Sequence, residues 1–258
     1  MTPVAWTPTE TELARSRLYR FMRALGCTTL QELRDRSAAD PAWYWNAAVC
    51  DLGIHWQQPP QTVLDLSEGL PWARFFPDGR YNYVADILTR WGNTDRPALL
   101  WEGDDGATQQ LTYRQLAELI PQVAAGLQGL GLSTGDRLGV FLPMLPETAL
   151  VTLAAGWLGA IIVPIFSGFG PEAVAARLRD AEATHLVTVD AFPRRGRLVT
   201  LKAIADQALA ANPTVRTVIV VRRSGISIPW TPGRDVWWHE SLERAPVSLP
   251  ATVTRTTD

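Results

Sequence analysis

From about residue 130 onward, short apolar runs alternate with stretches whose apolar residues have helical spacing. Four runs rich in β-branched residues predict strands, at 137–142, 161–165, 185–189 and 215–221. Three stretches between or after them predict helices, at 146–158, from 171 onward and at 198–211. Strands that alternate with helices are typical of a parallel sheet covered by helices. We therefore expect an α/β fold with a parallel sheet and flanking helices.

One uncharged run, residues 149–166, approaches the minimum length for crossing a bilayer. Gly156, Gly159 and Pro164 interrupt this run, and the segment 161–163 is β-branched. A buried helix followed by a buried strand explains such a pattern better than a membrane helix does. We expect no membrane span.

The first 80 residues lack this alternation and are rich in tryptophan and proline. Residues 9–25 predict one helix, and Thr28 to Leu33 predict a capped helix start. Further on, residues 98–102 and 109–112 flank an acidic turn, which predicts a hairpin, and Thr112 with Gln115 predicts the start of a capped helix. We expect an N-terminal wrapping segment (1–80), an α/β region (81–245) and a linker cut short (246–258).

Composition narrows the classes of function. The chain has 47% hydrophobic residues, enough for a large core, and 24 basic against 26 acidic residues, with a pI near 6.0. A protein that neutralises nucleic-acid phosphates is usually basic, so we expect no nucleic-acid partner. Cys27 and Cys50 lack a CxxC spacing, and the N-terminus lacks the pattern of a signal peptide. These observations favour reduced thiols and a cytoplasmic location.

Two segments that follow predicted strands carry candidate chemistry. Ser167-Gly168-Phe169-Gly170 would let a ligand approach the backbone before a helix N-terminus. Arg194-Arg195-Gly196-Arg197 gathers three guanidinium groups suited to phosphate. Taken alone, however, the first segment is better explained as a tight turn and the second as a solvated basic loop.

Other catalytic patterns are missing from the sequence. Lys202 is its only lysine and does not belong to a phosphate-binding G-x-x-x-x-G-K-[ST] motif. His55, His185 and His239 lack the spacing of metal ligands, and there is no G-x-S-x-G nucleophile motif. We interpret His185 as a packed residue and His239 as part of an amphipathic helix. The sequence therefore predicts no catalytic residue and no metal ligand.

Several segments, in order along the chain, resemble motifs of the AMP-forming acyl-CoA synthetases, a family of adenylate-forming ligases. Residues 135–138 and 141–147 resemble that family's GDRV and MPMxPE runs. Residues 166–174 are similar to the FGGFSPEAV segment of its acetyl-CoA synthetase branch. The same branch has counterparts of residues 190–197 (D-x(3)-R-x-G-R), 233–239 (GRDxWWHD) and 75–82 (WFxxGxLN).

This resemblance implies a ligase that converts ATP and a carboxylate to an acyl-adenylate and pyrophosphate, and then transfers the acyl group to coenzyme A. It also implies that Gly168, Arg194, Arg195, Gly196 and Arg197 contribute to binding coenzyme A. Ile162 replaces a histidine of the branch and Ser167 replaces a glycine, so acetate or another short-chain acid is the expected substrate.

The 258 residues end where the resemblance places a TSGTTGKPKG-like phosphate loop. On that basis we expect an incomplete part of the large N-terminal domain of such a ligase. Alone, it would be inactive and would not bind ATP and magnesium competently. The expected partners are small-molecule substrates and the missing C-terminal portion as a separate chain. The alternative is a non-catalytic module that binds coenzyme A or a nucleotide.

Overall fold

A computed structural model of the chain describes residues 5–210, 214–243 and 249–254. The chain divides into two compact units, one within Met1–Tyr81 and the other formed by Asn82–Thr254. The second unit contains the α/β region that the sequence predicts. The wrapping of the first unit around the second stays a prediction.

The first unit begins with four helices: α1 (Glu10–Arg15), α2 (Arg17–Ala24), α3 (Leu30–Ala39) and α4 (Pro41–Leu52). The single helix predicted over 9–25 is wrong, because Ser16 adopts an extended conformation and ends α1. Its hydroxyl then accepts a hydrogen bond from the Tyr19 N–H and caps α2. Two short antiparallel strands follow, β1 (Leu64–Asp65) and β2 (Arg74–Phe75).

The second unit opens with helix α5 (Tyr83–Trp91) and the antiparallel hairpin of β3 (Pro97–Glu102) and β4 (Thr108–Thr112). Helix α6 (Tyr113–Gly129) follows directly. The Thr112 hydroxyl accepts from the Gln115 N–H, and the Gln115 side chain accepts from the Thr112 N–H. This pair confirms the predicted capped helix start, and the pairing of β3 with β4 confirms the predicted hairpin.

In the described part of the chain, the central sheet has five parallel strands. They are β5 (Arg137–Val140), β6 (Ile161–Pro164), β7 (His185–Val189), β10 (Thr217–Val221) and β11 (Asp235–Trp237). Their order across the sheet is β11-β10-β7-β5-β6. The helices that connect them are α7 (Pro146–Leu158), α8 (Pro171–Asp180) and α9 (Leu201–Leu209), and α10 (Trp238–Glu243) follows β11. This arrangement confirms the predicted α/β class.

Three details of the sheet differ from the sequence prediction. Strand β11 was missed because three residues are too few to show a strand pattern. Strand β6 lies at the sheet edge, with Ile161 53% exposed, so the prediction of a buried strand there is wrong. The helix predicted from 198 begins at Leu201, because residues 197–199 instead form β9 of a hairpin with β8 (Phe192–Arg194).

The core of the second unit lies between the sheet and its helices, with every residue of β7 buried. Within the predicted linker, residues 249–254 are described and contact this unit. The Trp157 indole N–H donates to the Leu249 carbonyl, and the Asn82 amide donates to the Thr252 carbonyl. Among the described residues, no helix combines the length and the apolar character that crossing a membrane requires.

Candidate functional site

A cleft of about 280 Å³ lies where strands of the parallel sheet end, the edge at which ligands of open α/β sheets bind. Its walls come from the β3–β4 hairpin and from the segments that follow β5, β6, β7 and β10. The lining residues lie in 101–104, 143–145, 166–167 and 192–194, together with Arg223. Loops far apart in sequence therefore converge on one depression.

The predicted basic loop is the tip of the β8–β9 hairpin. Arg195 and Gly196 form its two-residue turn, with φ values of 50° and 73°. Positive φ at both positions is the geometry of a type I′ turn, which glycine adopts without strain and arginine adopts only with strain. Arg194 and Arg197 are directly paired across the ribbon. Arg194 is half-buried in the cleft wall, whereas Arg195, Gly196 and Arg197 are exposed.

Gly168 lies against the same arginine. A Cβ atom added at this glycine would be 3.0 Å from Nη1 of Arg194 and 2.7 Å from the ring of Phe166. The Arg194 guanidinium also lies over the Phe166 ring, 5.7 Å from its centroid. The structure therefore brings together Gly168 and Arg194 from two different loops. A side chain at residue 168 would displace one of these neighbours.

Arg223 is a second cleft arginine that sequence reasoning missed, because an isolated arginine after a strand gives no signal. Its guanidinium is 2.5 Å from an Oδ2 oxygen of Asp105, in the turn of the β3–β4 hairpin. It also lies 5.2 Å from the ring centroid of Trp101. The Trp101 indole N–H donates to the Met144 carbonyl at 2.6 Å. These contacts hold the hairpin at the mouth of the cleft.

A buried carboxylate, Asp190, ties together the two segments that carry the cleft arginines. It is fully buried and follows β7. Its oxygens accept hydrogen bonds from the backbone N–H groups of Ala191, Arg223, Ser224 and Gly225, at 2.6 to 3.2 Å. Buried polar groups need such partners. Asp190 therefore fixes the backbone of Arg223 relative to the start of the β8–β9 hairpin.

The only lysine of the chain is also buried. The Lys202 ammonium is 2.7 Å from Asp206, 2.9 Å from the buried carboxylate of Asp235, and 3.1 Å from the Pro229 carbonyl. Arg234 pairs with the same two carboxylates at 2.6 Å. Burial by itself would raise the pKa of Asp235, but hydrogen bonds from Arg234, the Thr231 N–H and Lys202 hold the pKa below its ordinary value. Lys202 is therefore a structural cation with no access to a substrate.

His185 and His239 do not line the cleft. His185, at the start of β7, is buried, and its Nε2 is hydrogen-bonded to the Leu130 carbonyl. Burial lowers the pKa of His185 and outweighs the opposing effect of that hydrogen bond. His239 lies in α10 and stacks on Trp237. Among residues 5–210, 214–243 and 249–254, no group of three or more His, Cys, Asp or Glu side chains is placed to hold a metal ion.

Two family models match this chain. The model described as AMP-binding enzyme matches residues 89–253, which is more than half of the chain and includes the whole cleft. The model described as the N-terminus of acetyl-coenzyme A synthetase matches residues 30–86.

Individual relatives agree with these matches. Acetyl-coenzyme A synthetases from Mycolicibacterium smegmatis and Halorhodospira halophila are each 39% identical to this chain. The matched regions cover 83% and 85% of this chain, and 23% and 34% of those two proteins. The solved acetoacetyl-CoA synthetase from Streptomyces lividans matches with a TM-score of 0.86 and 25% identity, over 97% of this chain and 39% of that one. The chain thus spans about a quarter to two fifths of the length of these relatives. The matches confirm the resemblance carried by the motifs: the chain belongs to the family of AMP-binding enzymes.

Proposed function

We propose that this chain forms the coenzyme A-binding part of an AMP-forming ligase for acetate or another short-chain acid. In the complete reaction, a carboxylate attacks the α-phosphorus of ATP, which gives an acyl-adenylate and releases pyrophosphate. The thiol of coenzyme A then attacks the acyl carbonyl, which gives acyl-CoA and releases AMP. The observation that carries the proposal is that Arg194, which lines the cleft, occupies the space where a side chain at Gly168 would lie, in a chain whose motifs resemble the acetyl-CoA synthetase branch.

The charges of the β8–β9 hairpin support an anion at this place. Arg194 and Arg197 face one another across the ribbon, and like charges at directly opposed positions are destabilising. A bound phosphate would relieve this repulsion and would accept charge-assisted hydrogen bonds from the guanidinium groups. With Arg195 at the turn between them, the hairpin tip presents three guanidinium groups for the phosphates of coenzyme A.

Gly168 supports the proposal in a different way. The absence of a side chain lets the flexible side chains of Phe166 and Arg194 lie directly against the Gly168 backbone, and a ligand that moved them would reach that backbone closely. In the proposed complex, the arginines hold the phosphates, and the narrow thiol-bearing arm of coenzyme A passes over Gly168 and Gly196.

We further propose that residues 1–258 alone do not form the adenylate. They contain no run similar to TSGTTGKPKG, and adenylation requires preorganised cations around the transferring nucleotide. Lys202 cannot substitute, because Asp206 and Asp235 bind its ammonium in a buried position. The missing groups would come from a C-terminal portion, as a separate chain or as part of a longer one.

Cys27 and Cys50, which are unpaired thiols, are compatible with a cytoplasmic location.

Calorimetric titration of coenzyme A into the purified chain tests the proposal. We expect binding that weakens at least about tenfold in the Arg194→Ala/Arg197→Ala variant, because a charge-assisted hydrogen bond contributes roughly 1.5–3 kcal/mol. The matched control is Arg20→Ala/Arg23→Ala, which removes the same charge from exposed positions of α2. Equal affinities for the two variants would refute the assignment of the phosphates to the hairpin.

Adenylation is tested separately, by incubating the chain with ATP, magnesium and acetate and measuring pyrophosphate. We expect none above the rate without protein. Sustained release of pyrophosphate would show that these residues suffice for the first half-reaction.

A further inference from the structure

The two arginines of the cleft differ in their electrostatic partners. Arg194 stacks on Phe166 and has no carboxylate partner among the residues that the structure describes. Arg223 is held by Asp105, whose carboxylate comes from the turn between β3 and β4. One guanidinium is therefore open to a ligand, and the other is already neutralised by the protein.

We propose that Asp105 lowers the affinity of the cleft for anions, because it acts as an internal counter-anion that a ligand must displace from Arg223. This inference rests on the proposed binding of coenzyme A. A carboxylate that occupies Arg223 penalises every incoming anion by the same amount. A phosphate offsets that cost better than a weak monoanion does, because it accepts stronger hydrogen bonds from a guanidinium fork.

The surroundings of Arg223 allow this exchange to involve side chains alone. Its backbone N–H is bound to the buried carboxylate of Asp190, so the main chain stays in place when the ion pair opens. The guanidinium also lies over the ring of Trp101, and such a contact with an aromatic face persists without Asp105. A freed Arg223 therefore remains at the cleft, where it can bind a phosphate together with Arg194.

The turn that carries Asp105 makes a clean substitution possible. The Oδ1 oxygen of Asp105 accepts a hydrogen bond from the Ala107 N–H at 3.2 Å, as aspartate and asparagine both do in turns of this kind. Asp105→Asn keeps that oxygen and removes the charge that binds Arg223. Asp104 precedes it in the same turn, lines the cleft, and has no ion-pair partner in the described part of the chain. Asp104→Asn is therefore the matched control for the general effect of removing one negative charge.

The experiment measures the dissociation constants of coenzyme A and of inorganic pyrophosphate for the wild-type chain, Asp105→Asn, Asp104→Asn, Arg223→Gln and Asp105→Asn/Arg223→Gln. Both members of the pair are partly exposed, so the exchange is worth about as much as a surface ion pair. We expect Asp105→Asn to bind both probes about threefold to fivefold more tightly than wild type. We expect Asp104→Asn to bind the two probes less than twofold more tightly than wild type does. In the Arg223→Gln background, Asp105→Asn should increase the affinity for the two probes no more than Asp104→Asn does.

Each outcome has a separate meaning. Equal gains from the two aspartate substitutions, or a gain that survives in the Arg223→Gln background, would overturn the role of Asp105 and leave coenzyme A binding intact. A gain for pyrophosphate with no binding of coenzyme A by any variant would support Asp105 and refute the proposed function. Failure of every variant to bind either probe would overturn both.

Discussion

Lys202 provides a strong test of how the second unit is stabilised. Its ammonium is fully buried and joins α9 to the start of β11 through Asp235, with Asp206 of α9 as its second carboxylate partner. Lys202→Met keeps most of the volume and removes the charge. Asp235 then retains Arg234 as its only cationic partner among the described residues, with its own carboxylate buried.

The size of the effect follows from this geometry. Removal of one partner from a buried ion pair costs about 3–5 kcal/mol, because the remaining charge is left without full compensation. Since Arg234 still contacts Asp235, we expect the lower end, about 3 kcal/mol. For a domain of this size that corresponds to a fall in melting temperature of roughly 6–12 °C. The exposed pair of Arg114 with Asp95 is the matched control, and Arg114→Met should leave the melting temperature nearly unchanged.

Denaturant unfolding at several pH values measures both effects. The pKa of Asp235 in the folded chain lies below its ordinary value of 3.8. Its stabilising contribution is therefore complete above the ordinary value and is lost as the pH falls through the lowered one. The difference in the free energy of unfolding between wild type and Lys202→Met should be largest at neutral pH and should decrease in acid. Equal losses for Lys202→Met and Arg114→Met at neutral pH would refute this account of the buried charges.

Three further predictions concern the cleft and the sheet. Asp190→Ala should lower the free energy of unfolding by about 3 kcal/mol, because backbone N–H groups lose their acceptor, and Asp190→Asn should recover part of it in the same unfolding assay. Gly168→Ala should weaken coenzyme A binding in calorimetry with a loss of stability under about 1 kcal/mol, because flexible side chains of Phe166 and Arg194 can move away from the new methyl group. Burial lowers the pKa of His185, so the unfolded chain binds a proton at a higher pH than the folded chain does. The free energy of unfolding should therefore fall as the pH drops below about 6.5. His185→Gln should weaken this pH dependence in unfolding curves measured between pH 7 and pH 5.

The sequence predicts those parts of the fold whose signals are local. Two kinds of signal each span only a few consecutive residues: the capping pair of Thr112 and Gln115, and the β-branched runs of β7 and β10. The structure has the helix start and both strands. The break at Ser16 was missed, because the helical spacing continues through it and only the serine cap separates the two helices. Residues 198 and 199 were assigned to a helix, because apolar periodicity does not reveal the strained turn at Arg195 and Gly196 that makes them part of a strand.

The candidate site was predictable only in part, for a similar reason. The arginine cluster at 194–197 and Gly168 stand in short motifs, so the sequence singles them out. Arg223 comes from a segment that carries no motif, and its place at the cleft depends on contacts with residues distant in sequence, such as the hydrogen bond from its backbone N–H to Asp190. The ion pair with Asp105 joins residues 118 positions apart, which no local pattern predicts.

The most direct test of the central claim is a measurement of backbone amide hydrogen exchange with and without saturating coenzyme A. We predict that bound coenzyme A slows exchange in the segments 166–170 and 192–199, where the cleft and the arginine hairpin lie. Amides of the first unit, such as those of α3, should exchange at unchanged rates. Protection confined to other segments, or no protection at ligand concentrations that saturate the calorimetric signal, would contradict the assignment of the cleft to coenzyme A.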